Sequence, residues 1–404
     1  MLGMGGVRLS TRNLGFTNGG IMSLSRRGFV NTVGLGTAGM LSTSFIVGRG
    51  REAAAFEPAD LQQANDDAII KISSNENARG PGPNTIKAIH DAISPRLGRG
   101  YPPDYTNALV ETISERYGVE RDNVIVGTGS GPILAGAVHA FCSGDKGLVT
   151  AAPTYGTCDA TARRIGAPVE FIPVDHSLGL DAEAMADAVS GHGLVFFCNP
   201  NNPTGTVHSF DVVEDFVRTV KRRSPNTNIL IDEAYLDYAS GSDIKTAAPL
   251  TQEFPGVFIS RSFSKAHGMA GLRIGYAIGQ EETVRAISGA WHLGSMNSLS
   301  AVAAITSLTD SGHIEDEREE NARVRAFVVS AFRDMGYEVP DSHTNHIFVN
   351  LKRPASEFRS ACLDHGIRVG RDFPPMENTH SRISLGTMEE MEASVRVFRE
   401  VLTT

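Results

Sequence analysis

The chain has 404 residues, a length that suggests two domains or one large domain with a smaller partner. Hydrophobic residues make up 41% and charged residues 21%, which is the balance of an ordinary soluble globular protein. The formal net charge of −9 argues against a nucleic-acid-binding protein, which would present a basic surface.

The N-terminal stretch predicts an export signal that is not part of the fold. Arg26 and Arg27 precede a moderately apolar, glycine-rich run at residues 29–47, and small alanines of the cleavage-site type follow at residues 53–55. This pattern resembles a bacterial twin-arginine signal, so we expect export to the periplasm and a mature chain that begins after residue 55. A membrane anchor or a disordered tail is the alternative, although the glycines and threonines make a poor permanent span. No later stretch offers eighteen uninterrupted apolar residues, so no transmembrane helix is expected in the body.

From Asp122 onwards, short apolar runs alternate with amphipathic stretches. Strands are predicted at NVIVGTG, GLVTAAP, PVEFIPV, GLVFFCNP, NILIDEAY and GVFISRSFS. Helices are predicted at PILAGAVHAFC, TCDATARRIG, DAEAMADAVSG and FDVVEDFVRTVKRR, with Asp181 as the N-cap of the third. The alternation continues to about Gly279 and predicts an α/β fold with a mostly parallel sheet flanked by helices on both faces.

The C-terminal third predicts a smaller α+β domain. A long charged helix (IEDEREENARVRAFVVSAFRDMG) is followed by the strands HIFVNL and RISLGT and by a last helix, MEEMEASVRVFREVL. Thr387 and Glu390 should form a capping box at the start of that last helix. The expected division is a signal peptide (1–55), the N-terminal part of a small domain (56–100), a large domain (101–294) and the C-terminal part of the small domain (295–404).

Polar residues follow several of the predicted strands. In parallel α/β sheets ligands bind outside the carboxyl ends of the strands, so these residues should meet at one edge. The glycine-rich segment 127–131 leads into a helix and offers backbone N–H groups to an anion, although an ordinary turn explains such glycines equally well. The other segments are TYG at 154–156, NPNNPTG at 199–205, DEAY at 232–235 and SFSKAHGMAGLR at 262–273.

In this order, the motifs TYG, NPNNPTG, DEAY, SFSK and GLRIGY resemble the pyridoxal-phosphate-dependent aminotransferases of fold type I, class I/II. The segments ISSNENARGPGP, GYPPD and RISLGTMEEM resemble the histidinol-phosphate aminotransferase branch of that family. The resemblance covers nearly everything after residue 70 and is specific because the motifs occur together. It implies a fold type I transferase with a large and a small domain, pyridoxal 5′-phosphate as cofactor, and a transaminase of the EC 2.6.1 class.

The resemblance also implies how the cofactor ring is held. Lys265 would carry it as a Schiff base and, once freed, would act as the general base and acid. Asp232 would pair with the protonated pyridine nitrogen and keep the ring an electron sink, whereas a strand-end turn or a helix N-cap is the alternative for this residue. Asn202 and Tyr235 would bind the ring oxygen, and Tyr155 would lie on the ring face. Lys265, Asp232 and Tyr235 are the expected catalytic residues.

The phosphate of the cofactor should be held by a helix N-terminus, hydroxyl groups and one guanidinium. The family implies Thr128, Gly129, Ser130, Ser262, Ser264 and Arg273 for this task. Tyr101 would reach the phosphate of the neighbouring subunit, so the expected working unit is a symmetric homodimer with active sites at its interface.

For the substrate, the family implies that Arg382 clamps the α-carboxylate through a planar bidentate pair and that Asn75 lies at the entrance. Arg371 and Arg79 are candidates for binding a distal anion, such as a phosphate or a side-chain carboxylate. The alternative is that both face solvent or pair with acids such as Asp372.

The expected reaction moves an amino group between an amino acid or a phosphorylated, histidinol-phosphate-like amine and a 2-oxo acid, with ping-pong kinetics. A pyridoxal-phosphate-dependent lyase or decarboxylase of the same fold, and a non-catalytic domain that only holds the cofactor, are the alternatives. No metal site is expected, because the cysteines are scattered without zinc-like spacing and predict buried free thiols: Cys142, Cys158, Cys198 and Cys362.

Overall fold

The computed structural model describes residues 69–95, 97 and 103–403. The predicted export signal and Tyr101 lie outside these residues.

Strands occur at the following positions: β1 Ile70–Ile72, β2 Val124–Gly127, β3 Gly147–Ala152, β4 Val169–Pro173, β5 His192–Cys198, β6 Asn228–Asp232, β7 Val257–Ser262, β8 Gly275–Gly279, β9 His346–Asn350, β10 Ile367–Val369 and β11 His380–Ser384. The helices are α1 Pro83–Ala92, α2 Pro103–Tyr117, α3 Ser130–Phe141, α4 Thr157–Arg164, α5 Ala182–Asp187, α6 Phe210–Arg223, α7 Ala248–Glu253, α8 Glu281–Ala290, α9 Ser298–Thr309, α10 Ser311–Asp334, α11 Ala355–Asp364 and α12 Met388–Thr403.

The large sheet has seven strands in the order β2-β8-β7-β6-β5-β3-β4. The strands from β7 to β4 run parallel, whereas β8 is antiparallel to both of its neighbours. The predicted α/β fold with a mostly parallel sheet is therefore confirmed. The carboxyl ends of β3, β5, β6 and β7 meet at one edge of this sheet, which brings together the polar segments that follow them.

Both faces of the large sheet are buried. Along β5, Phe196 packs in a cluster with Leu134 of α3, whereas the neighbouring Phe197 packs in a second cluster with Phe216 of α6. Successive side chains of a strand point to opposite faces, so helices on both sides are needed to cover such an apolar run.

A separate hydrophobic core forms around the shorter strands. β1 pairs in parallel with β10, and β9 pairs antiparallel with β11. Val328 of α10, Ile347 of β9 and Phe398 of α12 belong to this core and are fully buried. By contrast, Ala303 of α9 belongs to the core of the large sheet, whereas the sequence predicts that residues 295–404 belong to the small domain. The domain boundaries proposed from the sequence stay a prediction.

Two helix caps match the sequence prediction. The Asp181 side chain accepts a hydrogen bond from the Ala184 N–H at 2.9 Å and caps α5. Thr387 and Glu390 exchange the reciprocal hydrogen bonds of a capping box before α12. All four cysteines are buried free thiols, as predicted. Among the residues that the structure describes, no helix is long and apolar enough to cross a bilayer.

Candidate active site

A cavity of about 1160 Å³ lies where the carboxyl ends of the parallel strands meet. Residues predicted from the sequence make up much of its wall: Ser130, Tyr155, Asn202, Asp232, Tyr235, Ser262, Ser264, Lys265, Arg273, Arg371 and Arg382. Ser130 and Arg382 both line this cavity, although they are 252 positions apart in the chain.

Lys265 follows β7 and points its amine at the backbone of an N-terminal segment. Its Nζ atom donates to the carbonyl oxygens of Asn75 at 3.0 Å and Ser74 at 3.3 Å. Burial lowers the pKa of Lys265 to about 8, and the nearby positive charge of Arg382 contributes in the same direction. About a tenth of such an amine is neutral at pH 7, which makes it able to act as a nucleophile or as a base.

Asp232 is the last residue of β6 and is 2% exposed. Its Oδ1 atom has no hydrogen-bond partner among the described residues. Burial raises the pKa of this carboxyl group to about 7. A buried carboxylate oxygen without a partner is costly, so the site fits a ligand that presents a protonated ring nitrogen to Oδ1.

Arg382 of β11 is nearly buried at the cavity wall. Its Nη1 atom donates to Asn202 Oδ1 at 2.8 Å, and its Nη2 atom donates to the Ser73 carbonyl at 2.6 Å. Its Nε atom has no hydrogen-bond partner among the described residues, and its guanidinium lies 4.7 Å from the centre of the Phe373 ring. Burial lowers the pKa of Arg382 to about 10, which a bound anion would reverse.

The expected phosphate cradle forms at the N-terminus of α3. Ser130 is the first residue of that helix, and Gly129 caps it with a φ of 88°. A Cβ atom at position 129 would lie 2.4 Å from Arg273 Nη2, so only glycine lets the guanidinium approach. Ser262 Oγ accepts from the Ser264 N–H at 3.1 Å, and Arg273 Nη1 lies 3.5 Å from Ser264 Oγ. Helix N–H groups, hydroxyls and a guanidinium that converge in this way fit a phosphate group.

Thr128 is not at the cavity wall, contrary to its predicted contact with the phosphate. Its Oγ1 atom and its N–H both donate to the Leu293 carbonyl, at 3.2 and 2.9 Å. The side chain is thereby turned towards the loop before α9. Of the predicted phosphate ligands near α3, Ser130 is the one whose side chain lines the cavity.

Asn75 and Arg79 also differ from their predicted places beside the substrate. Asn75 is fully buried, and its side chain contacts Tyr235, which lines the cavity, as well as His346 and Ser384. Arg79 lines a separate small cavity and forms an ion pair with the buried Glu317, with 3.1 Å between Nη1 and Oε2. The alternative that Arg79 pairs with an acid is therefore the correct one.

Sequence reasoning missed the part of the wall formed by α11 and β10. Arg359 and Arg368 line the cavity there, beside Arg371. Arg359 forms a bidentate pair with Asp372, at 2.5 and 3.2 Å, whereas Arg371 donates to the Asp372 backbone carbonyl and lies over Phe373. The only sequence pattern that could have indicated this wall is the alternation of cations and apolar residues in IRVGRD at 367–372. Such alternation is ordinary for a half-exposed strand.

Comparison with known proteins places this site in a family. The sequence profile of "Aminotransferase class I and II" matches residues 67–398. A histidinol-phosphate aminotransferase from Moorella thermoacetica is 32% identical, over 83% of this chain and 86% of that protein. An aromatic amino acid aminotransferase from Rhodococcus opacus is 34% identical, over 80% of this chain and 88% of that protein. The structure of a histidinol-phosphate aminotransferase from Sinorhizobium meliloti in complex with pyridoxal-5′-phosphate superposes with a TM-score of 0.76 at 25% identity, over 91% and 99% of the two chains.

Proposed function

The chain belongs to the class I and II aminotransferases, which use pyridoxal phosphate. From this premise we propose that its amino donor carries a distal anion in addition to the α-carboxylate, or its equivalent, that Arg382 would bind. The observation that carries the proposal is a pair of cations on the cavity wall, Arg368 and Arg371, which form no ion pair with another described residue. Both side chains are exposed to solvent, and a phosphate or a side-chain carboxylate would give them a charged partner.

When bound, pyridoxal phosphate supplies the carbonyl that takes the amino group and a ring that accepts electrons. We assign Lys265 as its covalent carrier, and the Nζ atom of Lys265 as the group that moves a proton at the substrate carbon. Asp232 would hold a positive charge on the ring nitrogen, and Tyr235 and Asn202 would donate hydrogen bonds to the ring oxygen. Ser130, Ser262, Ser264 and Arg273 would bind the phosphate.

The similar proteins favour two donor classes. Proteins called histidinol-phosphate aminotransferase support a phosphorylated amine, in agreement with the unpaired arginines. The aromatic amino acid aminotransferase of Rhodococcus supports a neutral aromatic donor as the second candidate. A change at Arg371 distinguishes the two donor classes, because this arginine can pair with a distal anion but gains no such partner from a neutral aromatic ring.

Replacing Arg371 by alanine is expected to lower kcat/KM about ten- to a hundredfold for L-histidinol phosphate, because one charge-assisted hydrogen bond is lost. The value for L-phenylalanine should change little. Arg79→Ala is the matched control, since Arg79 lies outside the cavity and should affect both donors alike. Equal effects of Arg371→Ala on both donors would rule out a distal-anion site at this residue.

The product distinguishes transamination from lyase or decarboxylase chemistry on the same scaffold. Over repeated turnovers, a transaminase converts the donor into a carbonyl compound only while a 2-oxo acid is converted into an amino acid. We expect equal amounts of both products with 2-oxoglutarate as acceptor. Release of carbon dioxide, or continued donor consumption without an acceptor beyond the amount of enzyme present, would point to the other chemistry.

We also propose a homodimer in which Tyr101 reaches the phosphate in the partner's site. The support is the place of Tyr101 in the chain, two residues before α2 begins at Pro103, together with the family membership. Sedimentation of the holoenzyme at the mass of one 43.2 kDa chain would contradict this.

Export by the twin-arginine route is a proposal of the same kind, resting on Arg26, Arg27 and the alanines at residues 53–55. Because this route carries folded proteins, it would let the enzyme bind its cofactor before crossing the membrane. Changing Arg26 and Arg27 to lysine should leave the full-length precursor in the cytoplasm, as detected by fractionation. Export that survives this change would remove the proposal.

A further inference from the structure

Asn75 lies at the centre of a buried hydrogen-bond cluster directly beneath the catalytic residues. Its Nδ2 atom is 2.9 Å from the Tyr235 hydroxyl and 2.9 Å from His346 Nδ1. Its Oδ1 atom accepts from Ser384 Oγ at 2.7 Å, and its carbonyl accepts from Lys265 Nζ at 3.0 Å. Asn75 and His346 are fully buried, so each of these polar atoms depends on partners within the protein.

The backbone of Asn75 suits this place. Its φ of 54° is in the left-handed region, which asparagine adopts far more readily than most residues. The Asn345 side chain donates to the same Asn75 carbonyl at 3.1 Å and holds the segment from the other side.

The orientation of the Asn75 amide follows from its partner Ser384. Ser384 Oγ accepts from the Asn75 backbone N–H at 2.8 Å, so its single hydroxyl hydrogen is free for Asn75 Oδ1. The amide nitrogen then faces Tyr235 and His346 and can give one hydrogen to each. His346 can accept, because burial and the positive charge of Arg382 hold its pKa well below its usual range and keep the ring neutral.

We propose that Asn75 is a positioning residue that donates to the Tyr235 oxygen and thereby leaves the Tyr235 hydrogen for a bond into the cavity. A phenol oxygen that already accepts from an amide gains most by giving its own hydrogen to another acceptor. Tyr235 lines the cavity, so the acceptor in reach is the bound cofactor. Ser384 and His346 keep the amide from rotating. This inference rests on the assignment of Lys265 and Tyr235 under the proposed function.

The direction of the Tyr235 hydrogen has a spectroscopic consequence. A hydrogen bond from Tyr235 to the ring oxygen stabilises negative charge there, and that charge is greatest when the Lys265–cofactor linkage has lost its proton. Loss of the bond should therefore raise the pH at which the visible absorption of the linkage titrates. One neutral hydrogen bond corresponds to a change of up to about tenfold in proton affinity, or about one pH unit.

The experiment is a spectrophotometric pH titration of the substrate-free holoenzyme and four variants. Asn75→Gly removes the side chain and still tolerates a positive φ. Asn75→Asp keeps the shape but can only accept, so it would take the Tyr235 hydrogen for itself. Tyr235→Phe removes the phenol, and the double variant Asn75→Gly/Tyr235→Phe tests whether the two act as one unit. Asn77→Ala is the control, because the Asn77 amide donates to the Ala266 carbonyl outside this cluster.

We expect Asn75→Gly and Asn75→Asp to raise the titration midpoint by up to about one pH unit, and Tyr235→Phe to raise it at least as much. Asn75→Gly should add nothing once Tyr235 is phenylalanine, and Asn77→Ala should titrate like the wild type. A wild-type midpoint in Asn75→Gly or Asn75→Asp, or additive shifts in the double variant, would overturn the proposal. A wild-type holoenzyme whose visible band maps to a lysine other than Lys265 would overturn the proposed function instead.

Discussion

Lys265→Ala is expected to abolish transamination, with kcat reduced more than about 10⁴-fold, because in the proposed mechanism one change removes both the covalent carrier and the proton-transfer group. The structure motivates this through the low pKa of Lys265, about 8, and its place at the wall of the cavity. Single-turnover and steady-state assays with the best donor measure the loss. Lys146→Ala is the matched control, since Lys146 is exposed in the turn before β3 and should leave activity near normal.

Bound cofactor gives a second readout for Lys265→Ala. The phosphate cradle of Ser262, Ser264 and Arg273 is intact in this variant, so some cofactor should still bind, but without a covalent linkage to the protein. Its absorption should match the free aldehyde. Residual turnover within about a hundredfold of the wild type would show that another group moves the proton.

Asp232→Asn is expected to lower kcat at least about a hundredfold, because the proposed mechanism needs the negative charge of Asp232 to stabilise a positive ring nitrogen during the reaction. Cofactor affinity should fall much less, since the phosphate ligands and Lys265 are unchanged. The pair of measurements is kcat and the cofactor dissociation constant. Near-normal turnover would remove Asp232 from the catalytic residues.

In the cofactor-free protein, by contrast, Asp232→Asn should raise the thermal stability at pH 8. Burial raises the pKa of Asp232 to about 7 from 3.8, so the folded protein keeps the Asp232 proton to higher pH than the unfolded chain does. Its contribution to stability is therefore present below about pH 4 and is lost as the pH rises to about 7. Without cofactor, Asp232→Asn should melt at a higher temperature than the wild type at pH 8 and at a similar temperature at pH 4. A lower Tm at pH 8 would mean that hydrogen bonds within the protein, such as the one from the Ala234 backbone, stabilise the ionised carboxylate enough to offset its burial.

The sequence predicted the parts of the site whose position follows from where a strand ends. Asp232 and Lys265 follow apolar strands, and parallel strands end at a common edge, so their meeting could be expected before the structure was known. The large sheet could be predicted because apolar runs alternate with amphipathic stretches from Asp122 to Gly279. It could not show that β8 runs antiparallel, because a buried strand has the same composition in both directions.

Three predicted site residues are held by partners that are distant in the sequence. Asn75 was expected at the substrate, but its partner Ser384 is 309 positions away and turns it inward. Arg79 was expected beside the anion, but Glu317 of α10 holds it in a separate cavity. Thr128 is held by the backbone of Leu293, which no side-chain pattern can reveal. In each case a long-range polar contact, invisible to periodicity, decided where the side chain points.

The proposed role of Lys265 is tested most directly by reducing the wild-type holoenzyme with borohydride, digesting it and locating the modified lysine by mass spectrometry. We expect one cofactor-labelled peptide, which carries the label on Lys265, and no such label after prior reaction with an amino donor in the absence of acceptor. A label on another lysine, or no covalent label on a protein that turns over, would contradict this role.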